Sequence, residues 1–231
     1  MTRSRHAIAS LGLLVALLGV MAFGAGAAQA EEGNHWKVGT NTLINDTLKP
    51  EVIVEKIENE TGSFLTEISK IKVKILCKEM KLKEVYLLAN GRISHGLAYF
   101  HKCVLYLNEK LSAPCEPFSE GTSGLIVTDK FKGLLSLHEG ELLALIEPAL
   151  SAELATISVG EECAIGEEIP VTGKLTILDP EISTNKLTHL IKEGPLSSLK
   201  GIGNPATIDG AAIVKLGSLA HAGLAFSGFM L

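Results

Sequence analysis

The four cysteines of this chain, Cys77, Cys103, Cys115 and Cys163, have its most distinctive chemistry. An even number of cysteines in an exported chain is typical of disulfides, and four cysteines allow three pairings. The sequence alone leaves all three open. We expect Cys103–Cys115, which would close a short loop after a long strand, and Cys77–Cys163, which would tie a distant segment to Cys77. A ring as short as the first stabilises by about 3 kcal/mol in the loop-entropy model.

Metal binding is the second chemistry that these residue types allow. His95, His101 and Cys103 share one face of a predicted strand, but a strand rises about 3.3 Å per residue, so the histidines would lie roughly 20 Å apart. His101 and Cys103 could share an ion only if Cys103 were reduced. The cysteine gaps of 26, 12 and 48 positions match no zinc-ribbon spacing. The acidic pairs Glu161-Glu162 and Glu167-Glu168 lack the alternating Asp/Asn pattern of a calcium loop. The sequence therefore predicts no metal and no cofactor.

Catalytic motifs are incomplete in this chain. His138-Glu139 begins like the zinc-protease motif H-E-x-x-H, but Leu142 stands where its second histidine belongs. The segment Gly121–Gly124 has the wrong spacing for the nucleophile motif G-x-S-x-G. We expect no catalytic residue. The alternative is a secreted hydrolase whose groups meet only in the fold, which requires a histidine within reach of both a nucleophile and a carboxylate in a cleft.

The longest predicted strand runs from Ile93 to Asn108 and carries Cys103 on its more apolar face. Its valine and aromatic residues favour a strand over a helix. The dipeptide Asn90-Gly91 is a strong hairpin-turn signal immediately before it. The segment Met80–Ala89 fits either a short helix or a strand that pairs back across that turn.

A second predicted strand, Lys70–Cys77, alternates lysines with apolar residues. This alternation indicates one wet and one buried face, as in antiparallel sheets. The lysine row could bind anions. The simpler expectation is a solvated face, on an edge strand that charge protects from pairing.

Further short strands recur at spacings near ten residues. They are predicted at Leu125–Thr128, Gly133–Leu137, Glu141–Ile146, Ala152–Val159, Ile169–Leu178, Leu187–Ile191, Thr207–Leu216 and Leu219–Phe229. This spacing predicts an all-β fold, a single antiparallel β-sandwich or sandwich-like barrel held by disulfides. An outer-membrane-type β-barrel is a third alternative, disfavoured because aromatic residues make up only 5% of the chain.

The first 30 residues have the pattern of a signal peptide. Arg3 and Arg5 precede the apolar run Ala7–Phe23, and Ala28-Gln29-Ala30 is an A-x-A cleavage site. Cleavage after Ala30 leaves 231 − 30 = 201 residues, a β domain at 31–231 that we expect to be secreted and extracellular. No later run approaches the roughly 18 apolar residues of a membrane span, so we expect no stable span after cleavage.

The charge balance restricts the class of partner. Removing the two N-terminal arginines lowers Lys+Arg from 21 to 19 against 26 acidic residues, so the formal net charge goes from −5 to −7. A nucleic-acid ligand requires a basic surface, so we expect no nucleic-acid partner. A cell-surface polymer or protein is compatible with the acidic balance.

Two features near the N-terminus are ambiguous. Trp36 could stack on a sugar, but a lone tryptophan there more often packs over a core edge, which is our expectation. The sequons at Asn45 and Asn59 would accept glycans in a eukaryotic secretory pathway. We prefer a bacterial origin, in which they carry no such meaning.

The order of these features resembles a group of secreted all-β proteins from high-GC Gram-positive bacteria. The resemblance rests on Trp36, the cysteine order and Pro170-Val171-Thr172-Gly173 after Cys163. It implies an extracellular β protein, and it implies no activity and no functional residues. We therefore expect a non-catalytic extracellular or cell-surface domain with a binding or structural role.

Overall fold

A computed structural model describes residues 33–58, 62–178 and 187–230. The predicted signal peptide at 1–30 and the sequon at Asn59 lie outside these residues. The protein is all-β, as the strand spacing predicts, and its antiparallel sheets curl into sandwich-like half-barrels. Strands are numbered in chain order below.

Most strands belong to two large sheets, and a small sheet pairs the first described strand with the last. The ten-stranded sheet contains, in spatial order, β11 (Thr122–Ser123), β10 (Phe118–Ser119), β15 (Glu153–Ser158), β16 (Glu168–Thr172), β19 (Lys200–Gly201), β20 (Asn204–Asp209), β4 (Gly62–Ile68), β5 (Ile71–Cys77), β8 (Val104–Leu107) and β9 (Lys110–Leu111). The nine-stranded sheet contains β12 (Ile126–Val127), β7 (Arg92–His101), β13 (Phe131–His138), β14 (Glu141–Pro148), β17 (Leu175–Leu178), β18 (Thr188–Glu193), β21 (Ala211–Leu216) and β3 (Val52–Ile57), with β6 (Glu79–Lys83) paired to β7. The small sheet contains β2 (Asn41–Thr42), β1 (Asn34–Val38) and β22 (Phe226–Met230).

One long antiparallel ladder connects the two large sheets. Its partners run from Val73 opposite Leu107, through Glu79 opposite His101, to Leu87 opposite Ile93, with one constant register. The ladder therefore begins as β5–β8 in the ten-stranded sheet and ends as β6–β7 in the nine-stranded sheet. Lys102 has a φ of 55° at the change of sheet, so the predicted single strand Ile93–Asn108 is in fact two strands.

The predicted disulfide pairing is wrong. The structure contains Cys77–Cys103 and Cys115–Cys163 instead of Cys103–Cys115 and Cys77–Cys163. The ladder register places Cys77 directly opposite Cys103, with the Cα atoms 4.0 Å apart. The hairpin register therefore brings Cys103 within bonding distance of Cys77. The predicted pairing of Cys103 with Cys115 did not take this register into account. All four cysteines are buried.

The second disulfide joins two loops of the ten-stranded sheet. Cys115 ends a short 3₁₀ helix, Ala113–Cys115, and Cys163 lies in the loop after β15. Gly160 in that loop is packed so closely that an added Cβ would lie 2.3 Å from the Pro114 carbonyl oxygen. Tight packing of the two loops brings Cys115 and Cys163 together across 48 positions of sequence.

Three local predictions from the sequence can be compared with the observed strands. Met80–Ala89 begins as a strand, β6, rather than a helix. The turn at Asn90-Gly91 is confirmed, with φ of 55° and 68°. The lysine-bearing strand β5 lies between β4 and β8, so the prediction of an edge strand is wrong.

Three later predictions had the right segments but the wrong extents. Ile169–Leu178 is two strands, separated at Gly173, and Thr207–Leu216 is two strands, separated at Gly210. The closing strand at the C-terminus is only Phe226–Met230, because the chain forms a turn over residues 218–223.

The first and last strands pair with each other. In β1 and β22, Trp36 lies opposite Gly228, and Trp36 is buried with its indole N–H donating to the Arg92 carbonyl at 2.9 Å. The buried Asn34 amide donates to the Leu135 carbonyl at 3.1 Å. Trp36 therefore packs in the core, as expected, and its ring is not available to stack on a sugar.

The hydrophobic core draws side chains from all three sheets. Its members include Trp36 and Val38 of the small sheet, Ile75 and Leu105 of the ten-stranded sheet and Leu135 of the nine-stranded sheet. Leu105 and Ile75 are almost completely buried. Because these side chains alternate with exposed ones along each strand, the outer faces of both large sheets remain free for contacts with solvent or ligand.

Peptide mapping tests the disulfide pairing directly. Trypsin separates the four cysteines, since lysines divide the chain into peptides 75–78, 103–110, 111–130 and 133–174. We expect non-reducing digestion of the native protein to link 75–78 to 103–110 and 111–130 to 133–174. Linkage of 103–110 to 111–130 would instead support the pairing expected from sequence.

A glycine pair isolates the effect of close packing. Gly173 and Gly166 have nearly equal φ of 99° and 101°, but a Cβ at Gly173 would lie 2.1 Å from the Ser198 carbonyl oxygen, whereas Gly166 has open space. We expect Gly173→Ala to lower the free energy of unfolding by at least about 2 kcal/mol more than Gly166→Ala does. Chemical denaturation measures the difference, and equal losses would show that backbone strain alone matters.

Candidate functional site

An open cleft lies on the outer face of the nine-stranded sheet, and we call it the outer cleft. Its volume is about 730 Å³, and it is bounded by β7, β13, β14 and the segment 84–88. Leu134 and Leu145, directly opposite each other on β13 and β14, contribute apolar surface to it. The charged side chains that line it are Glu84, Arg92, Lys132 and Glu147.

Backbone hydrogen bonds hold the 84–88 wall of the outer cleft. The Ser94 hydroxyl donates to the Glu84 carbonyl at 2.6 Å and accepts from the Tyr86 N–H at 2.8 Å. The Ser94 N–H donates to the Tyr86 carbonyl at 2.9 Å. Both the N–H and the carbonyl of Tyr86 are thus hydrogen-bonded to Ser94. Tyr86 is half-buried and lines the outer cleft from a wall whose backbone is fixed.

A glycine allows this wall to approach the sheet. A Cβ at Gly96 on β7 would lie 2.4 Å from a methyl carbon of Val85. Val85 is buried beneath the wall, while its neighbours Glu84 and Tyr86 line the cleft. Close backbone approach at a glycine thus sets the position of Tyr86.

Glu147 is the electrostatic centre of the outer cleft. Its carboxylate oxygens each meet a different ammonium group, Lys132 at 3.3 Å and Lys174 at 3.1 Å, and its side chain is only 17% exposed. Burial raises the pKa of the Glu147 carboxyl, but hydrogen bonds and attraction from Lys174 and Lys132 outweigh it, so the pKa lies below its ordinary value of 4.5. Glu147 therefore remains ionised at neutral pH.

A second ion pair lies at the Arg92 end of the cleft. Asp46 accepts from the Ala89 N–H at 2.8 Å and from the Arg92 guanidinium at 2.6 Å. The backbone hydrogen bond from Ala89, followed by the Arg92 interactions, lowers the pKa of Asp46 despite some desolvation. The guanidinium of Arg92 is consequently held in place at the cleft.

A second groove lies on the outer face of the ten-stranded sheet, and we call it the lysine groove. Its volume is also about 730 Å³. Leu65, Lys74 and Tyr106 form a cross-strand row over β4, β5 and β8. Its charged lining residues are Glu67, Lys72, Lys74 and Glu109. The lysines recognised in the sequence therefore do line a depression, together with an equal number of carboxylates.

The predicted absence of a metal site concerned His95, His101 and Cys103. Cys103 is oxidised, His95 lines the outer cleft, and His101 stacks on Tyr99 with ring centroids 6.4 Å apart. Within the described residues no group of three or more His, Cys, Asp or Glu side chains has metal-binding geometry.

One serine–histidine contact bears on the hydrolase alternative. The Ser218 hydroxyl and His221 Nδ1 are 2.8 Å apart, within the turn over residues 218–223. Neither side chain lines the outer cleft or the lysine groove. His138 lies 3.9 Å from Glu139, its neighbour in sequence, in an exposed hairpin turn. Neither pair brings a histidine, a nucleophile and a carboxylate together in either depression.

Comparisons with known proteins found no match: no family model, no curated protein and no solved structure is similar to the chain. Across residues 33–58, 62–178 and 187–230, no helix has the length and apolar character of a membrane span. The interpretation of the site therefore rests on its own residues.

Sequence reasoning missed the outer cleft. Tyr86 lay in a segment with two possible structures, and Glu147 followed a predicted strand without a recognisable motif. One signal was present: Glu147 lies directly opposite Lys132 across the β13–β14 hairpin, and Glu139-Gly140 between these two strands is a dipeptide typical of turns. Counting residue positions outward from that turn along both strands would have placed Lys132 opposite Glu147.

Glu147 makes stability depend on pH. Since its folded pKa lies below 4.5, its contribution is present above pH 4.5 and is lost as the pH falls through the folded pKa. We expect Glu147→Gln to lower the free energy of unfolding by about 1 kcal/mol at neutral pH, with the difference vanishing in acid. Urea unfolding at several pH values measures this. Glu141→Gln, at an exposed position of β14, is the control, and a loss independent of pH would contradict the role of Glu147.

Proposed function

We propose that the protein is a non-catalytic extracellular binding module whose outer cleft holds a neutral, hydroxyl-rich ligand, such as a cell-surface glycan. The observation that carries this proposal is the balanced lining of the cleft. Two carboxylates, Glu84 and Glu147, lie beside two cations, Arg92 and Lys132. The cleft therefore offers hydrogen-bond donors and acceptors without a strong net charge.

Balanced charges favour hydroxyl groups over ions. A polyanion would gain from the cations but would be repelled by the carboxylates, and the reverse holds for a polycation. A hydroxyl both donates and accepts, so it can satisfy carboxylates and ammonium groups in the same cleft. The leucine surface and the Tyr86 ring supply apolar contacts for the C–H faces of a sugar ring.

The covalent structure supports an extracellular setting. Two buried disulfides are typical of proteins that leave the reducing cytoplasm. The predicted signal peptide and the resemblance to secreted proteins of high-GC Gram-positive bacteria are consistent with this proposal. Both remain predictions from the sequence.

Binding of defined glycans tests the proposal. We expect the 31–231 protein to bind at least one of chitotetraose, cellotetraose and mannotetraose in calorimetric titration, and to bind dextran sulfate less well. Tyr86→Ala should weaken binding at the outer cleft at least about tenfold, equivalent to about 1.4 kcal/mol, because it removes the aromatic side chain from that cleft. Tyr99→Ala is the matched control, since Tyr99 lines neither depression.

Two outcomes would overturn the proposed function. One is failure of all three neutral oligosaccharides to bind a protein that thermal unfolding shows to be folded. The other is a clear preference for dextran sulfate, which would show that positive charge dominates the surface.

A further inference from the structure

We infer that the lysine groove is a second site for the same class of ligand, so that the protein binds a glycan polymer at two points. This inference rests on the proposed function. The two depressions have about the same volume, and one lies on each large sheet. Their linings correspond in residue type as well as in size.

The correspondence in residue type is close. Each depression has two carboxylates, two cations, one tyrosine and leucines in its lining. Tyr86 and Glu147 are the aromatic and an acidic member in the outer cleft, and Tyr106 and Glu67 are their counterparts in the lysine groove. Equal numbers of charges again favour a neutral, hydroxyl-rich ligand over a polyanion.

The lysines of β5 neither protect a sheet edge nor take part in ion pairs within the described residues. Protection of an edge is excluded because β5 pairs on both sides. Lys72 lies opposite Glu67 in register, yet among the described ion pairs neither Lys72 nor Lys74 has a carboxylate within 4.0 Å. Their ammonium groups are therefore free to donate hydrogen bonds to a ligand.

The ladder sets the spacing of the two sites. Tyr106 and Ser94, which supports Tyr86, lie 12 positions apart on the β7–β8 arm. At about 3.3 Å per residue the path along the ladder is at most about 40 Å, and the change of sheet shortens it. The Cys77–Cys103 disulfide lies between the sites and covalently fixes that change of sheet.

A polymer long enough to reach both sites would bind more tightly than a short fragment. The second contact becomes intramolecular, so binding strengthens without new kinds of contact. We expect a tetrasaccharide to fill each site separately, so its titration would show two independent sites per protein.

The test compares short and long forms of one glycan on four proteins. The wild type, Tyr86→Ala, Tyr106→Ala and the double variant are titrated with whichever tetrasaccharide binds, and their retention on the matching insoluble polymer is measured. We expect two sites in the wild type, one in each single variant and none in the double variant. Polymer affinity should fall at least tenfold in either single variant.

Controls separate this inference from the proposed function. Lys74→Ala, at an exposed position of the lysine groove, repeats the test in case Tyr106→Ala does not fold. Tyr99→Ala should change neither the number of sites nor the polymer affinity. One site in the wild type, with Tyr106→Ala and Lys74→Ala without effect, would overturn the second site and leave the outer cleft standing. Absence of binding to every neutral glycan would overturn both.

Discussion

The structure depends on one antiparallel ladder that passes from one large sheet into the other. Both strands of this hairpin change sheet together and keep their register. Cys77–Cys103 joins them at that point. A disulfide acts mainly by restricting the unfolded chain, and the loop-entropy model assigns about 3.5 kcal/mol to a ring of 26 residues. The covalent link thus stabilises the junction on which both sheets depend.

The rest of the fold encloses the core around this junction. The second disulfide joins the loops near one end of the ten-stranded sheet, and the pairing of β1 with β22 brings both ends of the described chain onto the core. Trp36 and Asn34 of β1 donate hydrogen bonds to carbonyls of β7 and β13, so β1 is held by the nine-stranded sheet as well as by β22. This arrangement makes most contacts non-local, as expected for a protein built from antiparallel sheets.

The outer faces carry the functional features because the core uses the inner ones. Alternation along β5 buries Val73 and Ile75 and leaves Lys72 and Lys74 outside. The same principle turns Lys132 and the largely buried Glu147 away from the core, beside the buried residues Gly133 and Ile146. A single charged side chain on an outer face only contacts solvent. In our proposal, a binding surface forms where neighbouring strands bring positive and negative side chains together. Cross-strand pairing does so in both depressions.

Local patterns were sufficient to place most strands approximately, because alternation and turn residues act over a few positions. They predicted the all-β fold, the Asn90-Gly91 turn and the buried Trp36. The Cys77–Cys103 pair was also within reach, since both cysteines lie 13 positions from Asn90. Only the tertiary structure decided that Cys115 meets Cys163, that Lys102 splits a strand, and that Tyr86 and Glu147 share a cleft. These depend on which sheets and loops pack together, and contacts across 48 or more residues leave no periodic trace in sequence.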